Sequence, residues 1–279
     1  MRLCFCSDLH GRAPLYSQLE RLLRAERPEL LVLGGDMFPD GDLDDPRAIQ
    51  GRFVHERFIP WVRRMRAELA GMQVACILGN HDWLFSKDYL AEYHNQGALV
   101  LLTHRAPWVL DGVGFIGYSR TPPTPYWVKD FERLDMPDDP PPEMGGAIWD
   151  RTAQQPRAAE PETYFVPQTS LQSELAGAVQ PPAPWVFVCH APPHASMLDR
   201  LPHVDHPVGS RAVRRFIEQR QPLCSLHGHI HESPAVTGAY FDLIGVTTSV
   251  NPGQSNTRLH AALLETGNVK GSLQHRVLA

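Results

Sequence analysis

Five short apolar runs in this chain each end at a polar cluster. Leu3-Cys4-Phe5-Cys6 runs into Ser7-Asp8-Leu9-His10-Gly11, and Leu30-Leu31-Val32-Leu33 into Gly34-Gly35-Asp36. Val74-Ala75-Cys76-Ile77-Leu78 leads to Gly79-Asn80-His81-Asp82, Trp185-Val186-Phe187-Val188 to Cys189-His190, and Leu223-Cys224-Ser225-Leu226 to Gly228-His229-Ile230-His231. Runs of four or five apolar residues without alternation, bounded by Gly or Pro, predict strands buried on both faces. Open α/β sheets place their ligands beyond the carboxyl ends of such strands. The five clusters are therefore expected to converge on one edge of one sheet.

The side chains delivered there are carboxylates, imidazoles and one carboxamide, with no thiolate among them. That donor set suits divalent ions such as Mn, Fe or Zn. Seven such groups are too many for one ion that must stay open to substrate, whereas two ions sharing a bridging carboxylate can use them all. The count points to a binuclear centre.

Taken singly, several of these groups have plainer readings. Asp8 and His10 also fit turn residues capping the helix that begins near Pro14, and Gly34-Gly35-Asp36 fits an ordinary strand-to-loop turn. Gly228-His229-Ile230-His231 is harder to read that way, because histidines at i and i+2 of an extended segment point to the same side. His227 is read as packing or supporting the site rather than ligating. His194, His203 and His206 read as solvated loop imidazoles near the pocket rim.

In the order Asp-x-His, Gly-Asp, Gly-Asn-His-Asp, His, Gly-His-x-His, the blocks resemble the calcineurin-like metallophosphoesterase superfamily. The tail "HGHIHESP" followed by "VNPGQ" is similar to the small single-domain branch related to bacterial cyclic-nucleotide phosphodiesterases. The matched blocks run from Asp8 to Gly253. The resemblance implies that Asp8, His10 and His231 hold one metal, that Asn80, His190 and His229 hold a second, and that Asp36 bridges them with a water or hydroxide. It also implies that His81 stabilises the transition state or protonates the leaving oxygen, and that Asp82 orients His81. The expected activity is hydrolysis of phosphate esters by a metal-bridging hydroxide, with diesters preferred over monoesters. A scaffold that kept the fold as a protein-binding module, or a nuclease, would be the alternatives.

Arg12, directly after the first cluster, is a candidate for bidentate contact with a substrate phosphate. Asn251, in Val250-Asn251-Pro252-Gly253, is placed near the metals by the resemblance, although Asn-Pro-Gly also reads as a turn.

A net charge of −5, from 26 Lys and Arg against 31 Asp and Glu, offers no basic stripe for nonspecific nucleic-acid binding. The expected partner is a small phosphate-ester substrate. The cysteines Cys4, Cys6, Cys76, Cys189 and Cys224 all fall in expected strands, as buried free thiols would. The first strand starts within three residues of Met1, and no apolar run approaches the roughly 20 residues of a membrane span, so a soluble cytoplasmic protein is expected.

Helices are expected over Leu15–Leu23, from Ile49 through Leu69 with an interruption at Pro60, around Ser86–Tyr93, and over Ala212–Gln219 capped by Ser210. Further strands are expected at Leu99–Leu102, Gly114–Gly117, Tyr240–Val246, Leu259–Leu264 and Leu273–Val277. The result is an α/β fold: a two-sheet β-sandwich flanked by helices, the four-layer αββα arrangement, formed by residues 1–279 as one domain. Thirteen of the 26 prolines lie between Pro122 and Pro184. Residues 120–184 therefore read as an insertion or cap, bearing on substrate choice or on an oligomer contact.

Overall fold

The computed structural model describes residues 1–40 and 44–279. The parallel strands β1 (Arg2–Cys6), β2 (Leu30–Gly34), β3 (Gln73–Ile77) and β4 (Val100–Leu101) lie side by side. The chain continues through β5 (Trp108–Leu110), β6 (Val113–Tyr118), β7 (Gly146–Asp150), β8 (Gln155–Ala159), β9 (Trp185–Cys189) and β10 (Cys224–Leu226). It ends with β11 (Phe241–Ile244), β12 (Thr247–Val250), β13 (Leu259–Glu265) and β14 (Gln274–Leu278). One six-stranded sheet has the order β14-β13-β1-β2-β3-β4, and a second has β11-β12-β10-β9-β6-β5.

The expected two-sheet sandwich forms, but the five clusters do not leave one sheet: β1, β2 and β3 belong to one sheet, and β9 and β10 to the other. Apolarity on both faces told only that each strand is covered twice. Here one cover is the opposing sheet. Side chains alternate across each strand. Leu3 and Phe5 therefore meet Val186, Val188 and Leu226 between the sheets, while Cys4 and Cys6 meet Leu15, Leu19 and Val62 under the outer helices. Phe187 and Cys189 likewise face Val213, Phe216 and Ile217 on the far side. Four layers result, each fully buried Leu or Phe contributing about 1.5–3 kcal/mol. All five cysteines are buried free thiols.

The expected helices form. Leu15, Leu19, Leu22 and Leu23 are the buried face of helix Ala13–Glu26. Ser210 caps helix Arg211–Arg220, its Oγ accepting the Val213 N–H at 3.0 Å. Helical residues run without a break over 46–68: two π-helical turns, Arg47–Gly51 and Val54–Phe58, lead directly into helix Ile59–Glu68, and Pro60, which has no N–H to give, follows the second of them, where the Ile59 N–H already reaches back to Val54 O. Tyr240–Val246 is not one strand: the chain turns at Gly245, and β11 and β12 pair antiparallel. No helix among the described residues is long and apolar enough to cross a membrane.

The proline-rich segment is folded. Its hairpin β7–β8 packs Ala147 and Trp149 with Val128, Trp83 and Phe85. Lys129 and Glu132, both buried, pair at 2.8 Å, and the Lys129 ammonium also donates to the Thr124 and Tyr126 carbonyls. That pair fixes the turn from which Tyr126 reaches the strand ends.

Candidate metal centre

Register brings the clusters together. Cys6 pairs with Leu33 and Gly34 with Ile77 across β1, β2 and β3, so Asp8, Asp36 and Asn80 leave adjacent strands. Beyond the strands the loops stay joined, with the Asp8 N–H on Gly35 O at 3.0 Å and the His10 N–H on Asp36 O at 2.9 Å. His190 and Gly228 leave β9 and β10 of the facing sheet, with the Gly228 N–H on His190 O at 3.1 Å. The site therefore lies across the seam between the sheets.

The backbone is strained there. Asp8, His10, Asp36 and His229 all have φ between 45° and 68°, a region non-glycine residues enter at a cost. Asp8 and His10 do not cap the following helix; its N-cap is Arg12, without a side-chain cap bond. Two glycines are required by close approach rather than by φ. A Cβ on Gly79 would strike the Asp36 carboxylate and stand 2.6 Å from His190 Nε2, and one on Gly228 would strike Ser7 and Asp8.

Three overlapping groups of donor atoms gather, each within 4.8 Å: Asp8, His10 and His231; Asp8, Asp36 and His190; and His10, Asp40 and His81. Asp8 Oδ1 lies 3.0 Å from His231 Nε2 and 3.9 Å from His190 Nε2, and so reaches two of them. Asp36 Oδ2 is 3.2 Å from His190 Nε2, and Asn80 Oδ1 is 3.3 Å from the same nitrogen. The His229 ring packs 5.3 Å from that of His190, while its backbone N–H donates to Asp8 at 3.2 Å. The structure thus brings all seven expected ligands to one place.

Proton positions bear on whether cations fit. His190 Nδ1 donates to Gly34 O at 2.8 Å, which turns the Nε2 lone pair toward two more acceptors, Asp36 and Asn80. Such a gathering of acceptors holds together only around a proton or a cation. With a proton there, burial pushes His190 down but Asp36 and then Asp8 outweigh it, raising it to about 9. Burial likewise pushes Asp8 up, yet the His231 imidazole holds it at about 2. His10 gives the clearest sign: Nδ1 donates to Asp40 at 3.2 Å, and Nε2 is buried with no hydrogen-bond partner. A carboxylate behind an imidazole whose other nitrogen is left bare is how metal-binding histidines are held. The residues fit divalent cations.

The other expectations fare differently. Asp82 does not face His81. Its carboxylate accepts the N–H groups of Gly79 at 2.9 Å, Asp36 at 3.1 Å and Phe38 at 3.4 Å, and burial followed by Asp36 pushes it up to about 8. The carboxylate on His81 is Asp40, 2.7 Å from Nδ1. Asp40 escaped the sequence reading, its only signal being an acid four residues beyond Asp36 in the same loop. Tyr126, also missed, stacks on His81 with ring centroids 3.5 Å apart.

Arg12 is half-exposed, and no side-chain hydrogen bond among the described residues ties it to the cluster. His227 is buried, bonded to Cys189 O, Ala191 O and Ser225 Oγ. His203 and His206 are exposed, while His194 lines a cavity beside Pro122 and Pro141. Asn251 is buried: its amide donates to Leu198, Gly228 and Ile230 carbonyls, clamping the loop that carries His229 and His231.

A model of the calcineurin-like phosphoesterase family matches residues 1–233. One solved chain aligns over 100% of this chain and 99% of itself, with TM-score 0.62 and 16% identity. The protein TT1561 of Thermus thermophilus aligns over 99% of this chain and 97% of its own, with TM-score 0.57 and 15% identity. A Staphylococcus aureus protein named for a 5′-nucleotidase activity aligns over 100% of this chain but 54% of its own, with TM-score 0.51 and 14% identity. At these identities the likeness is one of fold. Comparison with curated proteins finds no match.

Proposed function

The chain belongs to the calcineurin-like phosphoesterase family, and from that premise we propose that it hydrolyses small phosphate esters, diesters in preference to monoesters, with two divalent cations. The observation that carries this reading is the gathering of the Asp8, His10, Asp36, His190 and His231 donor atoms at one seam, with Asn80 Oδ1 3.3 Å from His190 Nε2 and with His10 Nε2 buried and without a partner. Asp8, His10 and His231 would hold one cation, and Asn80, His190 and His229 the other, with Asp36 between them. When bound, such cations supply positive charge to the phosphoryl oxygens and make a water acidic enough to attack at neutral pH.

The remaining work falls to the chain's own groups. Asp36 is held in place by the His81 N–H at 2.8 Å and through its own N–H by Asp82. Asp40 binds His81 at Nδ1, which leaves Nε2 to give a proton to the departing oxygen. Tyr126 covers one face of that ring and limits its tilt. Arg12, directly after His10 and Gly11 in the chain, would serve as a phosphate contact. The preference for diesters is supported by the "HGHIHESP" and "VNPGQ" tail alone. We take residues 1–279 as one domain, since β13 and β14 complete the sheet begun by β1, and residues 120–184 as an insertion that reaches the site through Tyr126.

The test is a hydrolysis screen of Mn-loaded protein with nitrophenyl monoesters and diesters and with cyclic and linear nucleotides, alongside metal analysis. Two bound ions and diester turnover, abolished in Asp36→Ala and lowered about 10²–10⁴-fold in His81→Ala, are expected. Protein that takes up no metal and turns over none of these esters would refute the reading and favour a binding scaffold.

A further inference from the structure

A cavity of about 510 Å³ lies beside the seam, lined at one point by Leu78 but by none of the seven candidate ligands. Six cationic side chains line it: Lys87, Arg105, Arg120, Arg133, Arg151 and Arg157. Its acidic lining among the described residues is Asp130 and Glu174. Such an excess is out of keeping with a chain whose net charge is −5.

The lining does not neutralise itself. Asp130 is spent on backbone, accepting the Leu84 and Trp149 N–H groups at 2.8 and 3.0 Å. Glu174 pairs with Arg120 Nε at 2.9 Å, Arg151 with Asp88 at 2.6 Å and Arg157 with Asp150 at 3.6 Å, while Arg133 donates to the Glu132 carbonyl and the Tyr164 hydroxyl. Lys87 and Arg105 make no hydrogen bond or ion pair among the described residues. Two further polar atoms point to a missing partner: Arg120 Nη1 and the ring nitrogen His104 Nε2 are buried without a hydrogen bond. Burial lowers His104, and Arg105, Arg120 and Lys87 add to this against Glu174. Lys87, though its side chain reaches solvent, is lowered by partial desolvation against the cavity wall and then by Arg120 and Arg151. These groups repel one another, and a buried polar atom left unpaired destabilises the fold. An anion would relieve both penalties.

We propose that this cavity is a second anion-binding site, separate from the metal cluster, for a phosphorylated small molecule whose charged end meets Lys87, Arg105 and Arg120. Guanidinium groups suit phosphate because their donors match its oxygens in pairs. The site needs no metal and does not depend on the hydrolytic reading.

The probe is methylenediphosphonate, titrated calorimetrically into the full-length metal-loaded protein, into Asp36→Asn, and into Lys87→Ala/Arg105→Ala. Lys87 and Arg105 are exposed, so the fold should survive; thermal melting checks it, and Arg105→Gln alone is a milder second variant. The expected result is a binding event that persists in Asp36→Asn, weakens about tenfold or more in the double variant, and fades as salt is added. Loss of all saturable binding in Asp36→Asn, or undiminished binding in the double variant, would overturn the proposal. A wild type without metal or hydrolysis would remove the functional reading and leave this one standing.

Discussion

Replacing Asn251 by alanine should loosen the loop that carries His229 and His231 without touching either imidazole. The carboxamide nitrogen stands 3.2, 3.3 and 3.1 Å from the Leu198, Gly228 and Ile230 oxygens, and Oδ1 accepts the Gly253 N–H at 2.9 Å. The amide cannot be turned over, since its oxygen would then face three carbonyls. Two N–H groups serve three acceptors, so the clamp amounts to about three bonds, each contributing roughly 1 kcal/mol net. With the residue 1% exposed, little water can replace them. Asn251→Ala should lose about 3 kcal/mol of unfolding free energy in urea. Metal affinity should fall about 10–100-fold, the usual effect of removing a group that orients ligands. Asn251→Asp should do at least as badly, because a carboxylate would be aimed at carbonyl oxygens. The assay pairs urea unfolding followed by tryptophan fluorescence with metal titration against a competing chelator. A full loss of stability with unchanged metal affinity would refute the link between clamp and site.

Gly79→Ala should abolish tight metal binding, because the new methyl collides with Asp36 and His190; metal retained at wild-type stoichiometry after dialysis would contradict this. Lys129→Met strands the buried Glu132 carboxylate and should cost about 3–5 kcal/mol in urea unfolding, whereas a loss under about 1 kcal/mol would show that the pair is replaceable. His227 is held down at about 4 by burial, below the 6.5 of a free imidazole. As pH falls from about 6.5 toward 4, the unfolded chain takes up a proton that the folded chain refuses. Stability is therefore full above that window and declines through it by up to about 3 kcal/mol. His227→Gln should flatten the decline in melting temperature over that range, and an unaltered slope would count against it.

The strands were readable because burial on both faces leaves unbroken apolar runs such as Leu30–Leu33. Which strands share a sheet was not, since Val186 and Val32 carry the same local pattern while facing each other from opposite sheets. That the seven candidate residues would come near one another was legible from residue type and position after a strand. Side-chain direction was not: the turn at Gly79 bends Asp82 back onto backbone N–H groups, and adjacency to His81 misled. Asp40 and Tyr126 meet His81 from separate loops, a relation set by tertiary packing alone. The hairpin β7–β8 was hidden by the prolines around it, by Pro156 within it and by an exposed strand, Gln155–Ala159, with no apolar face to betray it.

Because the site straddles two sheets, its contacts join parts of the chain that are remote in sequence. Asp8 and His229 are 221 residues apart, Asp36 and His190 154, and Asn80 and His190 110. Contacts of such separation close only after both sheets have formed and docked, since loop-closure entropy must be met before they return anything. The half of the site carried by β1, β2 and β3 can be made early; the whole cannot. A cation gripped from both sides would thus mark a chain that has finished folding, and would staple the last step in place.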